Sequence, residues 1–428
     1  MRLTFTRNDI NILLLILLTL TETLCCTYLL KSDLNTEMVA IGYFLAGLLI
    51  GTMPLISRRN YTGTVSADKR NSLINRWIIP ACFLLLGVYV IKEVKLMIDT
   101  WPIDLHYADM LPQIQIMTQR FIDGQKIYAP IQEIWNGKPP PYLPLMWLPF
   151  TVAKWAHIDI RWTTIVFFLL GLFCLYKFFP KKFNGKPLLL LASFVSLFFL
   201  INFLLIKDRI TFGHTEEGLV IAYYLFLAYA LFKKQPVLIG IAIACCLMSR
   251  FSLFFWVPMY VLYMFFYESR RNAYIITGVV ALIIFFVFLL PFGFWQPEYF
   301  LNIPADYQVG VDNAWRSNNN NGKYYQDFLG YARYFDISQI NLLHYLQIGV
   351  AAVLPFLMLI LFSITKKRIR FNTDFFGICT LKIVLVFFYN MVEVPYYYLF
   401  FVSTFFSYAI LFMYMRQQNE TSETVQAV

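Results

Sequence analysis

The sequence predicts an all-α polytopic membrane protein with about twelve transmembrane helices. The first observation is composition: 59% of the 428 residues are hydrophobic and only 14% are charged, with a mean hydropathy of +0.60. A soluble domain carries about 25% charged residues, so the surface of this chain must be apolar and its solvent must be lipid. The second observation is that apolar runs recur along the chain near the length of about 20 residues that a spanning helix needs.

Twelve apolar runs define the predicted spans. In chain order they are Ile10–Leu30, Met38–Ile56, Trp77–Ile98, Trp162–Phe179, Leu188–Ile206, Gly218–Phe232, Val237–Ser249, Leu253–Tyr267, Ala273–Pro291, Leu342–Ile364, Phe375–Asn390 and Pro395–Tyr414. The two runs on either side of Arg250 are short and could form one broken span. We expect a single membrane domain over residues 1–428, with two helices and a basic cytoplasmic loop in 1–76, the functional region in 77–416 and a disordered cytoplasmic tail in 417–428.

The distribution of basic residues predicts the orientation, because lysine and arginine concentrate in cytoplasmic loops. With the N-terminus inside, more than half of the 35 basic residues fall in short inner loops, and most of the 25 acidic residues fall on the outer side. An even number of spans then returns the C-terminus to the cytoplasm. The net charge of +10 is therefore polarised, which indicates a topology signal and attraction to anionic lipids of an inner membrane rather than binding to nucleic acid.

Three predicted outer segments are too long and too polar to be simple turns: residues 99–161, 207–217 and 292–340. A transporter usually places its polar groups near the middle of the membrane, and a channel lines a pore along its full depth. Polarity that is concentrated on one side favours chemistry or binding at the outer membrane surface.

The first outer segment contains an amphipathic run, Leu111–Ile122, that predicts a helix lying in the membrane interface and ending at Gly124. Its predicted apolar face comprises Ile114, Met117, Phe121 and Ile122. Residues Lys138–Pro144 contain consecutive prolines and cannot form an ordinary helix interior. The apolar run Leu145–Ala156 is too short to span, and we expect it to be re-entrant or interfacial.

The other two outer segments concentrate ionisable and amide groups. Residues 207–217 hold six ionisable groups: Lys207, Asp208, Arg209, His214, Glu216 and Glu217. This segment could equally be an interfacial charge belt with internal ion pairs. The run of asparagines between Arg316 and Lys323 could be a flexible loop or a sugar site. Arg250 lies at membrane depth, where an ionisable residue is costly and a functional role is the first hypothesis.

A further pattern joins a loop aspartate, an amphipathic helix ending in glycine, and a segment rich in tyrosine and proline before the next apolar run. Its residues are Asp109, Gly124, Tyr128, Pro140, Tyr142 and Pro144. The pattern resembles the C-type glycosyltransferase superfamily (GT-C), most closely glycosyltransferase family 87 and related polyprenyl-phosphate-dependent mannosyltransferases. Phe212-Gly213-His214 partly matches a family segment that often reads Gly-Gln, and Pro395–Tyr398 resembles an aromatic segment of the family. The resemblance covers roughly Trp77 to the C-terminus and implies a GT-C-like bundle with interfacial helices in the first large outer loop.

The resemblance implies an inverting transfer of a hexose, mannose in most of these relatives, from a polyprenyl-phosphate donor to a lipid or glycan acceptor. Asp109 would be the base that takes the proton of the acceptor hydroxyl, with Asp104 as its rival. A loop aspartate is more often a helix cap or a solvated charge. No nucleotide, cofactor or metal is implied, and the seven cysteines all lie in apolar runs without the spacing of a metal site.

The leaving phosphate needs cations close to its developing charge. The candidates at the outer face are Arg209, Lys207, His214 and Arg250. Candidates for the acceptor site or the cavity are Tyr142, Glu216, Glu217, Arg316, Lys323, Glu393 and Tyr397. Each could instead be an interfacial anchor or the solvated end of a helix.

Two other functions are compatible with the sequence. A polymerase or ligase that uses an undecaprenyl-pyrophosphate-linked glycan shares the membrane face, but it would depend more on arginines of the long loop than on Asp109. A twelve-helix transporter is compatible with the even count of spans. The two halves of the sequence show no internal repeat, which argues against the transporter.

Overall fold

The structure is a computed structural model that describes residues 7–29, 35–56, 77–132, 134, 137, 139–179, 187–317, 328–369 and 371–424. Every secondary-structure element in these ranges is a helix. The α-helices are α1 (Arg7–Leu24), α2 (Thr36–Ile56), α3 (Ile79–Thr100), α4 (Met110–Ile122), α5 (Pro144–Trp147), α6 (Phe150–Trp155), α7 (Arg161–Phe178), α8 (Pro187–Asn202), α9 (Ile210–Gly213), α10 (Glu217–Lys233), α11 (Pro236–Leu247), α12 (Trp256–Tyr263), α13 (Arg270–Ile284), α14 (Pro297–Ser317), α15 (Ile340–Thr365), α16 (Phe376–Asn390) and α17 (Phe400–Thr424). Four of them, α1, α8, α12 and α13, continue as π-helices over Cys25–Leu29, Phe203–Asp208, Met264–Glu268 and Phe285–Gly293.

Eight helical segments of the described chain are long and apolar enough to cross a membrane. They are Asn8–Leu29, Thr36–Ile56, Arg161–Phe178, Leu188–Asp208, Arg270–Gly293, Ile337–Thr365, Thr373–Asn390 and Tyr397–Gln417. Each coincides with one of the twelve predicted spans. The chain is therefore an all-helical, multi-pass membrane protein.

The other four predicted spans are helical too, but they are shorter or more highly charged. Helix α3 has 22 residues, but it carries four charged residues in its second half. These are Lys92, Glu93, Lys95 and Asp99. Helices α10 and α11 have 17 and 12 residues, and α12 has eight residues followed by its five-residue π-helix. The total of twelve spans stays a prediction.

The two ends of the helix bundle are identified by contacts between helix termini. At the end that we call the basic end, Lys234 pairs with Asp374 at 2.6 Å, and Arg416 donates to the carbonyl of Lys177 at 2.7 Å. These residues lie after α10, before α16, in the second half of α17 and at the end of α7. The opposite end, which we call the site end, gathers the last residues of α3, α11 and α16 and the first residues of α4, α7, α10 and α17.

The centre of the bundle is formed by helices that approach each other closely. A Cβ added to Gly171 of α7 would lie 3.1 Å from the Cα of Ala222 in α10, and one added to Gly218 would lie 2.7 Å from the Thr164 side chain. Glycine therefore sets the α7–α10 separation. In the most apolar stretch of the span over α17, 100% of the residues are buried. In the corresponding stretches of the spans over α13 and α15, 17% of the residues are buried. Helix α17 is thus central, and α13 and α15 are peripheral.

The last helix extends into the C-terminal tail. Helix α17 continues to Thr424, so residues 417–424 are helical, and the disorder of the tail stays a prediction. The side chain of Gln417 donates to Asp374 at 2.8 Å and accepts from Asn372 at 2.8 Å. These contacts anchor the helix at Gln417. Extending an existing helix is easier than starting one, because each added residue gains one hydrogen bond for fixing its own backbone. Residues 425–428 lie outside the described residues.

Candidate active site

Asp109 stands immediately before α4, the helix that the sequence predicts in the first outer segment. Helix α4 is followed by Gly124 with φ of +66°, a conformation that glycine adopts readily at a helix end. The carboxamide of Gln113 donates to Oδ2 of Asp109 at 2.9 Å. The N–H of Leu111 donates to the carbonyl of His214 at 3.4 Å. These contacts fix Asp109 beside the second outer segment.

The buried face of α4 differs in part from its prediction. Ile114 and Met117 are fully buried as expected, whereas Phe121 and Ile122 are 42% and 43% exposed and Gln113 is buried. The hydrogen bond to Asp109 compensates for the burial of the Gln113 carboxamide. The run Leu145–Ala156 forms two short helices, α5 and α6.

Glu216, Glu217 and Arg250 form a buried ion cluster at the start of α10. Both glutamate side chains are fully buried, and the Arg250 side chain is 16% exposed. The Arg250 guanidinium donates to Glu217 Oε1 and lies 3.4 Å from Glu216 Oε1. Burial raises the pKa of Glu216, and burial raises the pKa of Glu217 to about 8, although the charge of Arg250 lowers both.

Tyr142 and Asp109 lie close enough to this cluster for electrostatic interaction, so five of the predicted site residues lie in one region. Burial raises the pKa of Tyr142 well above its ordinary value, and the charges of Asp109 and Glu216 act in the same direction. The charge of Asp109 also raises the pKa of Glu216. We call this set the central cluster; its members are Asp109, Tyr142, Glu216, Glu217 and Arg250. In the described residues, no three His, Cys, Asp or Glu side chains are placed to hold a metal ion together.

His214 is enclosed by aromatic rings next to the central cluster. Its ring centroid lies 4.2 Å from that of Trp101 and 5.1 Å from that of Tyr107, and Nε2 lies 3.2 Å from the carbonyl oxygen of Pro102. Burial lowers the pKa of His214, and the charge of Arg161 acts in the same direction. The imidazole is therefore neutral near pH 7. A neutral, enclosed ring fits a positioning role better than the predicted cationic contact to phosphate.

Asp104, the rival for the base, lies in the turn that follows α3. It is exposed, and its Oδ1 accepts from the N–H of His106 at 2.9 Å. Its carbonyl accepts from the N–H of Tyr107 at 3.2 Å. An aspartate that closes its own turn in this way has a structural use. Its charge also acts on His214.

Lys207 and Arg209 are exposed at the junction between the π-helix after α8 and α9. Arg209 has a φ of +53°, a strained conformation for a residue with a side chain, which costs roughly 1–3 kcal/mol and is typical of functional sites. Between them, the buried Asp208 accepts from the N–H of Thr211 at 3.1 Å and from the hydroxyl of Tyr397. Tyr397 is thereby tied to the second outer segment.

Two further predicted residues, Glu393 and Arg316, form a second group near α14 and α15. The buried carboxylate of Glu393 contacts His344 Nδ1, and its backbone carbonyl accepts from Trp315 Nε1 at 3.0 Å. Arg316 is exposed beside that tryptophan. Lys323 lies outside the described residues.

Sequence reasoning missed a fully buried ion pair between Glu22 of α1 and Lys382 of α16. Lys382 Nζ donates to Glu22 Oε1 at 2.5 Å and to Ser403 Oγ at 2.7 Å, and Ser407 donates to Glu22 Oε2 at 2.5 Å. The pair joins α1 to α16 and α17, so the N-terminal helices are part of the bundle. The sequence did contain a signal for this pair. Glu22 and Lys382 each lie alone within a predicted span, and charges at that depth need partners.

Comparisons of the chain with protein-family models, with curated proteins and with solved structures find no match. The function is therefore argued from the geometry and the chemistry of the central cluster.

Proposed function

We propose that the chain is an inverting GT-C-type glycosyltransferase that moves a hexose, mannose by resemblance, from a polyprenyl-phosphate donor to a lipid or glycan acceptor at the outer membrane face. The observation that carries the proposal is the central cluster. It brings residues from the first outer segment, the second outer segment and the break before α12 to one place at the site end. Converging polar groups with perturbed pKa values are typical of catalytic sites.

In the proposed reaction, Asp109 accepts the proton of the acceptor hydroxyl while that oxygen attacks C1 of the sugar. The bond between C1 and the phosphate oxygen breaks on the opposite face, and the polyprenyl phosphate leaves with the electron pair. Asp109 suits the role of base because it is only partly buried and is held by Gln113. A positioned carboxylate of this kind contributes about 10²–10⁴-fold to the rate.

Stabilising the phosphate that leaves requires positive charge that is not already neutralised. Arg250 is engaged with two buried carboxylates, whereas Lys207 and Arg209 are exposed on the neighbouring segment. We therefore assign the phosphate to Lys207 and Arg209, and we assign to Arg250 the role of holding Glu216 and Glu217.

The test is transfer from radiolabelled polyprenyl-phosphate mannose by the full chain in nanodiscs. We expect Asp109→Asn to lower the rate about 10²–10⁴-fold. Asp104→Asn is the matched control, since it changes a neighbouring aspartate of the same loop, and it should retain most of the activity. If only Asp104→Asn lowers the activity, Asp104 is the base instead of Asp109. Full activity in both variants would contradict the mechanism.

A further inference from the structure

With both glutamates ionised, the buried part of the central cluster contains one more negative charge than positive charge. Glu216 and Glu217 are fully buried, and within the described residues Arg250 is the cation at ion-pair distance from both. Asp109 adds a further carboxylate whose charge reaches Glu216. Removing an uncompensated ion from water is costly. In its ionised form the cluster is therefore short of one positive charge, which a bound proton or a cation can supply.

The same cluster has buried polar atoms without a hydrogen-bond partner. Within the described residues, Oε2 of Glu216 and Oε2 of Glu217 have none, and neither do Nε of Arg250 and the hydroxyl of Tyr389, a residue of α16 that is 1% exposed. Tyr389 lies close enough to Glu217 and Arg250 for their charges to act on its hydroxyl. Buried polar groups are nearly always paired, so unpaired ones need an explanation. Ionised carboxylate oxygens can only accept, so a ligand that pairs with them must donate.

We propose that the central cluster binds a protonated primary amine that one of the two substrates carries. This inference depends on the proposed function, because the amine would belong either to the transferred sugar or to the headgroup of the acceptor lipid. An ammonium group supplies the missing charge and three donors for the glutamate oxygens. Tyr142 and Tyr398 are buried close to the same glutamates, and aromatic rings favour a cation further.

Other ligand groups fit the cluster less well. A sugar hydroxyl would donate to the carboxylates but would leave the negative charge uncompensated. A uronic acid or a free phosphate would add negative charge to a site that already has an excess. Exclusion by unpaired buried charge is a strong source of specificity.

Without the amine, bound protons supply the missing charge. Burial raises the pKa of Glu217 to about 8, the charge of Arg250 lowers it and the charge of Glu216 raises it. The charges that act on the two glutamates are those of Arg250 and Asp109. The titratable groups that face the glutamates are Tyr142, Tyr389 and Tyr398. Binding of an ammonium group should therefore displace a proton from a carboxyl to the buffer. The affinity for the amine should increase as the pH rises toward about 8.

The experiment is calorimetric titration of the full chain in nanodiscs of phosphatidylglycerol, which carries no amine. Two matched pairs of probes separate the sources: methyl glucosaminide against its N-acetyl form, and lysophosphatidylethanolamine against its N-acetyl form. We expect the amine of one pair to bind roughly tenfold tighter than its neutral partner, as charge-assisted hydrogen bonds allow. The pair that shows the preference identifies the sugar or the acceptor lipid as the carrier.

The variants Glu216→Gln and Glu217→Gln should lose the preference and the release of protons, which is measured by repeating the titration in buffers of different ionisation enthalpy. Glu268→Gln is the control; Glu268 is exposed, lies after α12 and accepts from Tyr263 at 3.0 Å, and its variant should keep both. Equal binding of amine and N-acetyl probes, or a preference that persists in Glu217→Gln, would overturn the inference.

The outcomes also separate this inference from the proposed function. An amine preference without any glycosyl transfer would retain the amine site and overturn the transferase. Transfer that depends on Asp109 but shows no amine preference would retain the transferase and overturn the amine site.

Discussion

The Glu22–Lys382 pair and the central cluster are both buried groups of charged residues, but their polar atoms are paired to different extents. Around Lys382, the ammonium donates to Glu22, to the Ser403 carbonyl at 2.9 Å and to the Ser403 hydroxyl, and the second oxygen of Glu22 accepts from Ser407. The charges of Glu22 and Lys382 therefore cancel. In the central cluster, one arginine faces two glutamates, and an oxygen of each glutamate has no partner among the described residues.

This difference separates a structural role from a functional one. A balanced and fully hydrogen-bonded network adds rigidity and fixes which helices pack together. An unbalanced network with unpaired atoms costs stability, and the cost is reasonable where a ligand completes the network. Burial and charge alone do not distinguish the two sites, whereas the pairing of individual atoms does.

The largest effect on stability should come from breaking the balanced pair. Lys382→Met leaves Glu22 buried without a cation, which should cost about 3–5 kcal/mol. The measurement is the melting temperature of the detergent-solubilised chain. A second variant that combines Glu22→Gln with Lys382→Met should recover most of the loss, because it leaves no buried charge. A single variant as stable as the parent would contradict the structural role.

The same substitution should have opposite effects in the two regions. Glu22→Gln removes the counter-ion of Lys382 and should destabilise the chain, whereas Glu217→Gln removes an excess charge and should leave stability unchanged or raise it by roughly 1–2 kcal/mol. The melting temperatures of the two variants, measured at pH 8, decide the matter. Destabilisation by both would remove the distinction.

The pH dependence of stability sharpens this contrast. The pKa of Glu217 is raised to about 8 in the folded chain, so the folded state holds the proton more tightly than the unfolded state does. The contribution of Glu217 to stability is then present at pH values below its unfolded pKa, and it is lost as the pH rises through about 8. We expect the melting temperature of the parent to fall as the pH rises from the unfolded pKa of Glu217 to about 8. The melting temperature of Glu217→Gln should fall less over the same pH values. Parallel curves would contradict the assignment.

A smaller effect on activity should follow loss of the hydrogen bond that holds Asp109. Gln113→Leu keeps the volume of a buried side chain but removes its donor, and should lower transfer about tenfold or less. Gln119→Leu is the matched control, because Gln119 donates to Asp123 at 3.0 Å with the same i, i+4 spacing on the exposed face of α4. Equal transfer rates in the two variants would remove the positioning role of Gln113.

The smallest effect should come from the exposed pair at the basic end. Lys234 is 57% exposed and pairs with Asp374, and exposed pairs contribute only about 0–1 kcal/mol because water screens them. Lys234→Met should therefore shift the melting temperature by a few degrees at most. A loss as large as that of Lys382→Met would show that burial does not determine the strength of these pairs.

Much of the fold is predictable from the sequence, because lipid requires long apolar helices and those runs are visible along the chain. The end of α4 at Gly124 is predictable as well, since few residues other than glycine adopt its backbone conformation easily. The face of α4 is not, because the burial of Gln113 depends on a hydrogen bond to Asp109 that no hydrophobic pattern reports.

The residues of the candidate site are also predictable in part. Charged groups in polar loops predicted Asp109 and Glu217, and a charge at membrane depth predicted Arg250, each one separately. Their contact is not predictable, because Glu217 and Arg250 are 33 positions apart and only the packing of α10 against α11 brings them together. The ion pair between Glu22 and Lys382 is not predictable for the same reason, because the two residues are 360 positions apart.

The most direct test of the difference between the two regions is a cryo-EM structure of the full chain in nanodiscs with polyprenyl-phosphate mannose. The account predicts the sugar beside Asp109, the phosphate beside Lys207 and Arg209, and an unchanged Glu22–Lys382 pair. A sugar bound at the basic end, or one that separates Glu22 from Lys382 while the central cluster stays empty, would contradict it.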